Sequence, residues 1–143
     1  MALARPALTL SQTLPIFPLS GVVLLPFGQL PLTIFEPRYL NMVDDALGAA
    51  RILALVQPRI PCDELVPDDA ALFDIGTAGR IIAFEDPGNG HYRITLEGLS
   101  RFRIQSEYTF DRSRGYRQVN VDFTPFTHDL NPSDQGDGPG RQR

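Results

Sequence analysis

Apolar and polar residues alternate with the two-residue period of β-strands over much of the second half of the chain. In residues 92–97, one face would carry Tyr92, Ile94 and Leu96, and the other would carry polar side chains. The same alternation recurs in residues 101–105 and 118–123. These segments are typical of strands with one face in the core and one face in water.

The first third of the chain has a different pattern. Prolines and glycines divide the apolar residues 14–35 into short stretches, which predicts brief strands joined by turns. In residues 36–47 the apolar positions change to helical spacing, with Pro37 suited to the first helical position and Gly48 to termination. The apolar run 52–56 has the length of a buried strand.

A hairpin is predicted between residues 81–84 and 92–96, because Pro-Gly-Asn-Gly at residues 87–90 is a strong turn sequence. Several short strands with a single helix indicate a mainly β fold, a twisted antiparallel sheet closing into a pseudo-barrel of about six strands. The sequence predicts an N-terminal extension at residues 1–13, one folded domain at 14–126 and a disordered tail or linker at 127–143. The last thirteen residues contain no apolar side chain to bury.

The chain carries no membrane or export signal that we can identify. No apolar run approaches the roughly 20 residues that cross a bilayer, and residues 1–12 lack the continuous apolar region of a signal peptide. We therefore expect a cytoplasmic protein that does not contact membranes.

All thirteen basic residues are arginine, and lysine is absent. A phosphate-binding loop of the Walker type, a Ser-Lys dyad and a Schiff base each require a primary amine, so these chemistries are excluded. No serine lies in a Gly-x-Ser-x-Gly motif either. The composition therefore favours a binding module over an enzyme.

Metal and cofactor sites are not indicated. Cys62 is the single cysteine, and neither His91 nor His128 has ligand-like neighbours in the sequence. We expect no metal and no cofactor, and we interpret Cys62 as a surface thiol.

One segment concentrates positive charge although the whole chain has a net charge of −4. Residues 93–117 contain six arginines, among them Arg101, Arg103, Arg112 and Arg114. Arginines that hold phosphates, together with aromatic rings that stack on bases, would make an RNA-binding face. The alternative is an ordinary solvated sheet face, which the alternation of the sequence favours.

Several motifs resemble those of one protein family. Residues 14–19 (Leu-Pro-Ile-Phe-Pro-Leu), 22–26 and 30–32 are similar to the start of the Lon protease N-terminal domain, and Glu-Pro-Arg-Tyr at residues 36–39 resembles its stand-alone bacterial forms. Further motifs at residues 74–81 and 95–102 follow in the family's order.

This resemblance implies a PUA-like pseudo-barrel in which about six strands surround a short helix. It also implies a domain that helps an ATP-dependent protease to recognise unfolded or tagged substrates, while the ATPase and peptidase chemistry belongs to other domains. Stand-alone relatives usually continue into a helical segment, which we expect this chain to lack.

The leading hypothesis is therefore a non-catalytic module that binds unfolded or tagged polypeptide, with a separate ATP-dependent protease as a possible partner. Polypeptide would dock in an apolar groove beside the helix or along an open sheet edge. The candidate contact residues are Phe27, Leu30, Arg38 and Tyr39. RNA binding through Arg101, Arg103, Arg112 and Arg114 is the alternative.

Overall fold

The structure, a computed structural model, describes residues 11–61, 66–67, 69–108 and 113–130. Its elements, in chain order, are β1 (Ser11–Pro18), β2 (Gln29–Ile34), α1 (Pro37–Leu47), β3 (Ile52–Val56), β4 (Ile75–Glu85), β5 (Tyr92–Glu107), β6 (Gln118–Asp122) and a 3₁₀ helix (Thr124–Leu130) with a kink at Phe126. The mainly β fold and the number of strands in the sheet are as predicted from the sequence.

Five of the strands form a closed ring. β5 pairs with β4, β4 with β3, β3 with β1, β1 with β6, and β6 returns to β5. The β1–β3 pair is parallel and the other pairs are antiparallel. Closure is possible because β5 is 16 residues long. Its residues 92–97 pair with β2, its residues 93–103 with β4 and its residues 103–107 with β6.

Two apolar cores lie on opposite sides of the ring wall. The inner core takes side chains from all five ring strands, with Phe102 and Phe123 as its largest members. The outer core lies between the wall, β2 and α1. β3 is buried along its whole length because it contributes alternate residues to both cores.

The helix begins and ends where the sequence predicts, with Pro37 in its first turn and Gly48 at its end. It lies outside the ring, however, because its buried residues all belong to the outer core. The expectation of strands surrounding a helix is therefore corrected. The Glu36 carboxylate also does not cap the helix but pairs with Arg38 at 3.0 Å.

The folded domain extends beyond both boundaries predicted from the sequence. β1 begins at Ser11, three residues before the predicted domain start at 14. The 3₁₀ helix includes residues 127–130, which we assigned to the tail. Its Asp129 is only 2% exposed and accepts three hydrogen bonds from Arg101, one of them from the backbone N–H. This ion pair holds the 3₁₀ helix against β5.

A segment that we call the strap, residues 19–28, closes one side of the outer core. Leu24 is buried there beside Gly79 and Gly98, and the Leu25 carbonyl lies directly against Gly98. A Cβ atom at Gly98 would approach the Leu25 oxygen to 2.1 Å, which no packed structure tolerates. A side chain at Gly98 would therefore displace the strap.

Replacing Gly98 by alanine is expected to lower the free energy of unfolding by about 1–3 kcal/mol, the usual cost of overpacking. Urea unfolding followed by circular dichroism measures this loss. Gly48→Ala is the matched control, because a Cβ at Gly48 would meet only ordinary contacts at 3.7 Å and beyond. Equal stability of both variants would contradict the strap contact.

Candidate functional site

β2 has a partner on one side only. It pairs with β5 in the register Gln29↔Glu97 to Ile34↔Tyr92, and no strand in the described part of the chain covers its other side. The backbone N–H of Gly98 donates to the carbonyl oxygen of Gly28, the residue just before the first paired residue of β2. Since antiparallel strands exchange hydrogen bonds at every second residue, the backbone groups of Gln29, Pro31 and Thr33 point to the open edge. Pro31 has no N–H to donate, which is tolerated at an edge.

The side chains of β2 make this edge apolar on its inner face. Leu30 and Leu32 are half-buried and pack against the outer core. The whole stretch of residues 6–35 contains no charged side chain. Native edge strands commonly carry charges that prevent pairing with other chains, and β2 has none. This edge is therefore uncharged and unpaired in the described part of the chain, although Pro31 offers an added strand an acceptor but no donor.

An open depression of about 330 Å³ lies beside this edge, where β2, β4 and β5 run next to each other. Pro31, Thr33, Thr95 and Phe84 are among the residues that line it. Arg93 and Glu85 also line it, but they pair with each other at 3.1 Å. The depression therefore offers apolar and hydroxyl contacts without a free charge.

Aromatic rings surround the end of β2. Phe35, 53% exposed, follows the strand directly and lies near His91, with ring centroids 5.9 Å apart and the ring planes tilted by 52°. Phe84 meets Tyr92 edge-on at 5.0 Å. The Tyr92 hydroxyl donates to Asp44 of α1 at 2.8 Å, and this hydrogen bond is the main reason why the pKa of Tyr92 is raised. Phe35 and Phe84 were missed from the sequence because their exposure depends on strand pairing.

The four residues predicted to bind polypeptide separate into two groups. Phe27 and Leu30 lie at the start of β2, where Phe27 is half-buried and has a left-handed backbone conformation with φ of 68°. Tyr39 is buried in the outer core, 4.8 Å from the ring of Phe17, so it supports the fold from inside. Arg38 pairs with Glu36, donates a hydrogen bond to the Val66 carbonyl and lies 4.6 Å above the Tyr39 ring.

A second exposed apolar surface lies on the strap. Val23 and Leu25 are 68% and 65% exposed, and Val23 shares a small depression with Ile75 of β4. This surface has exposed side chains but no unpaired strand edge, since the strap backbone is not part of the sheet.

Two of the four arginines predicted to bind RNA, Arg101 and Arg114, pair with carboxylates. Arg101 pairs with Asp129 at 3.0 Å and Arg114 with Asp45 at 2.8 Å. Arg117 likewise pairs with Glu107 at 2.6 Å, and exposed Arg103 lies opposite Asp122 of β6. Arg112 lies outside the described residues. The segment therefore does not present the continuous positive face that the RNA hypothesis requires.

Ligands of other kinds are not suggested by the arrangement of side chains. Within the described ranges, no group of three or more histidine, cysteine, aspartate or glutamate side chains is placed to hold a metal ion. Cys62 lies outside those ranges. No helix of the described residues combines the length and the apolar character needed to cross a bilayer.

Solved structures similar to this chain share its fold. The Lon N-terminal domain protein from Xanthomonas campestris matches with a TM-score of 0.59 and 30% identity, covering 78% of this chain and 59% of that one. The N-terminal domain of a Mycobacterium avium complex Lon protease matches with a TM-score of 0.55 at 14% identity, covering 78% of this chain and 54% of that one. At that identity the second similarity concerns the fold alone.

Proteins similar to this chain in sequence are also Lon proteases. Lon protease 2 of Sorangium cellulosum is 32% identical over 101 residues, covering 71% of this chain. Lon protease 2 of Myxococcus xanthus is 33% identical over 107 residues, covering 72% of this chain. The chain spans only 13% of the length of each.

The family model that matches residues 13–135 describes the substrate-binding domain of the ATP-dependent protease La (Lon). This match includes both cores, the open edge of β2 and the 3₁₀ helix. The motifs that suggested the resemblance lie within the same residues, on β1, the strap, β2, α1, β4 and β5. The chain therefore belongs to the family of Lon protease substrate-binding domains.

Proposed function

We propose that this domain is a non-catalytic module that binds unfolded polypeptide, and that the polypeptide docks as an extended strand along the open edge of β2. The single observation that carries the proposal is the unpaired, uncharged edge of β2 with half-exposed Leu30 and Leu32. An added strand would gain backbone hydrogen bonds and bury apolar side chains at the same time.

Unfolded polypeptide suits this edge better than a folded protein does. Only an extended segment can follow the row of backbone groups at Gln29, Pro31 and Thr33. Alternate side chains of that segment would reach Leu30 and Leu32 on one face of the sheet, and Pro31 and Thr33, which line the depression, on the other. The strap surface has no unpaired strand edge to form backbone hydrogen bonds with a polypeptide, so we do not propose it as the main binding site.

The family supports the same function. The matching relatives are named Lon proteases, and the matching domain is named for substrate binding. We infer that the domain does not itself carry the Ser-Lys peptidase chemistry of the family, since the absence of lysine excludes that dyad. A separate or attached ATP-dependent protease would receive the bound polypeptide, and the cytoplasm is the compartment where we expect this to occur.

Replacing Thr33 by proline should weaken polypeptide binding, because it removes an N–H that points to the open edge. One net hydrogen bond is worth about 0.5–1.5 kcal/mol, so we expect the Kd to rise about 2- to 10-fold. Fluorescence anisotropy with a labelled, permanently unfolded polypeptide measures the change. Thr33→Val is the matched control, since it keeps the N–H and removes only the hydroxyl.

These binding measurements distinguish the edge of β2 from the strap as the binding site. Equal affinity of both Thr33 variants would refute docking along β2. Loss of binding in Val23→Ser instead would move the site to the strap. A labelled single-stranded RNA serves as the parallel probe, and RNA binding that falls steeply with salt, without polypeptide binding, would overturn the proposed function.

A further inference from the structure

The turn between β4 and β5 contains an asparagine followed by glycine. Asn89, Gly90 and His91 are all exposed at the tip of the hairpin. The Asn89 side-chain oxygen accepts a hydrogen bond from the backbone N–H of His91 at 3.0 Å. Gly90 has φ of 85°, and nothing lies within 4 Å of the position where its Cβ would be. The peptide bond between Asn89 and Gly90 is therefore open to solvent.

Two features favour a reaction between the Gly90 backbone nitrogen and the Asn89 side chain. The Gly90 N–H makes no hydrogen bond within the part of the chain that the structure describes, so base in the solvent can remove its proton. The His91 N–H donates to the side-chain oxygen of Asn89. Negative charge would develop on that oxygen if the Gly90 nitrogen attacked the Asn89 side-chain carbonyl. A donor at that position stabilises the tetrahedral intermediate.

We propose that Asn89 is a site of spontaneous deamidation. The deprotonated Gly90 nitrogen forms a bond with Asn89 Cγ, and the side-chain nitrogen leaves as ammonia after it takes up a proton. The product is a five-membered succinimide ring. Water then adds to one of the two ring carbonyls and breaks the adjacent C–N bond, which gives aspartate or isoaspartate at residue 89.

The other described asparagines lack this arrangement. Asn41 lies within α1, and its side chain donates to the Arg114 carbonyl. Asn120 lies within β6, and its side chain bonds both Thr13 and Ser106. The residues that follow them, Met42 and Val121, are fully buried. Asn41 and Asn120 are therefore internal controls for the reaction.

The modification would change the charge beside the site. The hairpin already carries Glu85 and Asp86, and the new carboxylate would be two residues from His91, which contacts Phe35 at the end of β2. An isoaspartate would also lengthen the backbone of the turn by one methylene. The hairpin tip would become more negative and lose its present turn geometry.

Peptide mass spectrometry after incubation of the whole protein tests this proposal. Trypsin cleaves after Arg80 and Arg93, and the released peptide, residues 81–93, contains Asn89 as its only side-chain amide. We expect this peptide to gain the mass difference between NH₂ and OH, to split into two products on chromatography, and to react faster as the pH is raised from neutral to mildly alkaline. Asn89→Gln should lose the signal, because glutamine would have to form a larger ring.

Two results would overturn the proposal. One is a peptide 81–93 that stays unmodified while the protein remains folded. The other is deamidation of Asn41 or Asn120 at the same rate as Asn89, which would show that the turn geometry confers no selectivity.

Discussion

Replacing Phe102 by alanine is expected to lower the free energy of unfolding by about 3–5 kcal/mol, the cost of removing a large aromatic side chain from a core. Phe102 is completely buried inside the ring of strands. Its ring meets Phe123 edge-on, with centroids 6.4 Å apart and planes at 88°. It also fills the space that Gly76 leaves, where a Cβ would lie 2.8 Å from its Cζ atom.

Urea unfolding of the purified domain, followed by circular dichroism, measures this effect. The matched control is Phe102→Leu, which keeps much of the volume and should cost less than about 1.5 kcal/mol. Since domains of this size are stable by only about 5–15 kcal/mol, the alanine variant should lose a large share of the total. A loss below about 1 kcal/mol would show that the inner core can collapse around the missing ring.

Replacing Asp129 by asparagine should destabilise the domain by about 1–3 kcal/mol, because it breaks a charged hydrogen-bond pair on a buried carboxylate. The buried Asp129 holds both the side chain and the backbone N–H of Arg101, and the Arg101 guanidinium lies 4.6 Å above the ring of Phe126. Arg101 is 44% exposed, so water can solvate it after the change and limit the loss.

The stabilisation by Asp129 should depend on pH. Burial alone would raise the pKa of Asp129, but the hydrogen bonds and the charge of Arg101 outweigh burial and hold this pKa below its ordinary value. A carboxyl group with a lowered pKa in the folded state contributes its full stability above its unfolded pKa of about 3.9. It loses that contribution as the pH falls through the lower, folded pKa.

Measuring the unfolding of the native protein and of Asp129→Asn at a series of acidic pH values tests the direction of this pH dependence. The difference in stability between the two proteins should be constant near neutral pH and shrink as the solution becomes acidic. Asp74→Asn is the control, because Asp74 is 74% exposed and its ion pair with Arg59 is long, at 3.5 Å. A difference that grows toward low pH would contradict the ion pair as the source of stability.

Local signals in the sequence predicted the elements well. Pro37 and Gly48 mark the ends of α1, because proline fits only the first turn of a helix, where its missing N–H is not needed, and glycine has a low helix propensity. The alternation of residues 92–97 assigned the buried face of β5 correctly, since successive side chains of a strand point to opposite sides. The hairpin turn at residues 87–90 is also as predicted.

The candidate site was predicted only in part, because its properties arise from distant partners. Leu30 was named for its motif, yet its position at an open edge follows from its pairing with Leu96 of β5, which lies 66 residues further along the chain (96 − 30). Tyr39 was named for the same kind of reason and is buried, because α1 packs on the outer side of the ring. Arg101 was predicted to bind phosphates, but in the structure its guanidinium pairs with Asp129, which lies 28 residues further along the chain.

By itself, the sequence determined the strand-rich composition of the fold, the helix and its ends, the hairpin, the resemblance to Lon protease substrate-binding domains, and the exclusion of lysine chemistry. These properties depend on residue type and on spacing within a few positions. Only the tertiary structure decided which strand keeps an open edge, which aromatic rings reach the surface, and which arginines are neutralised. Those outcomes depend on contacts between residues far apart in the chain, and periodicity along the chain carries no information about which distant segments meet.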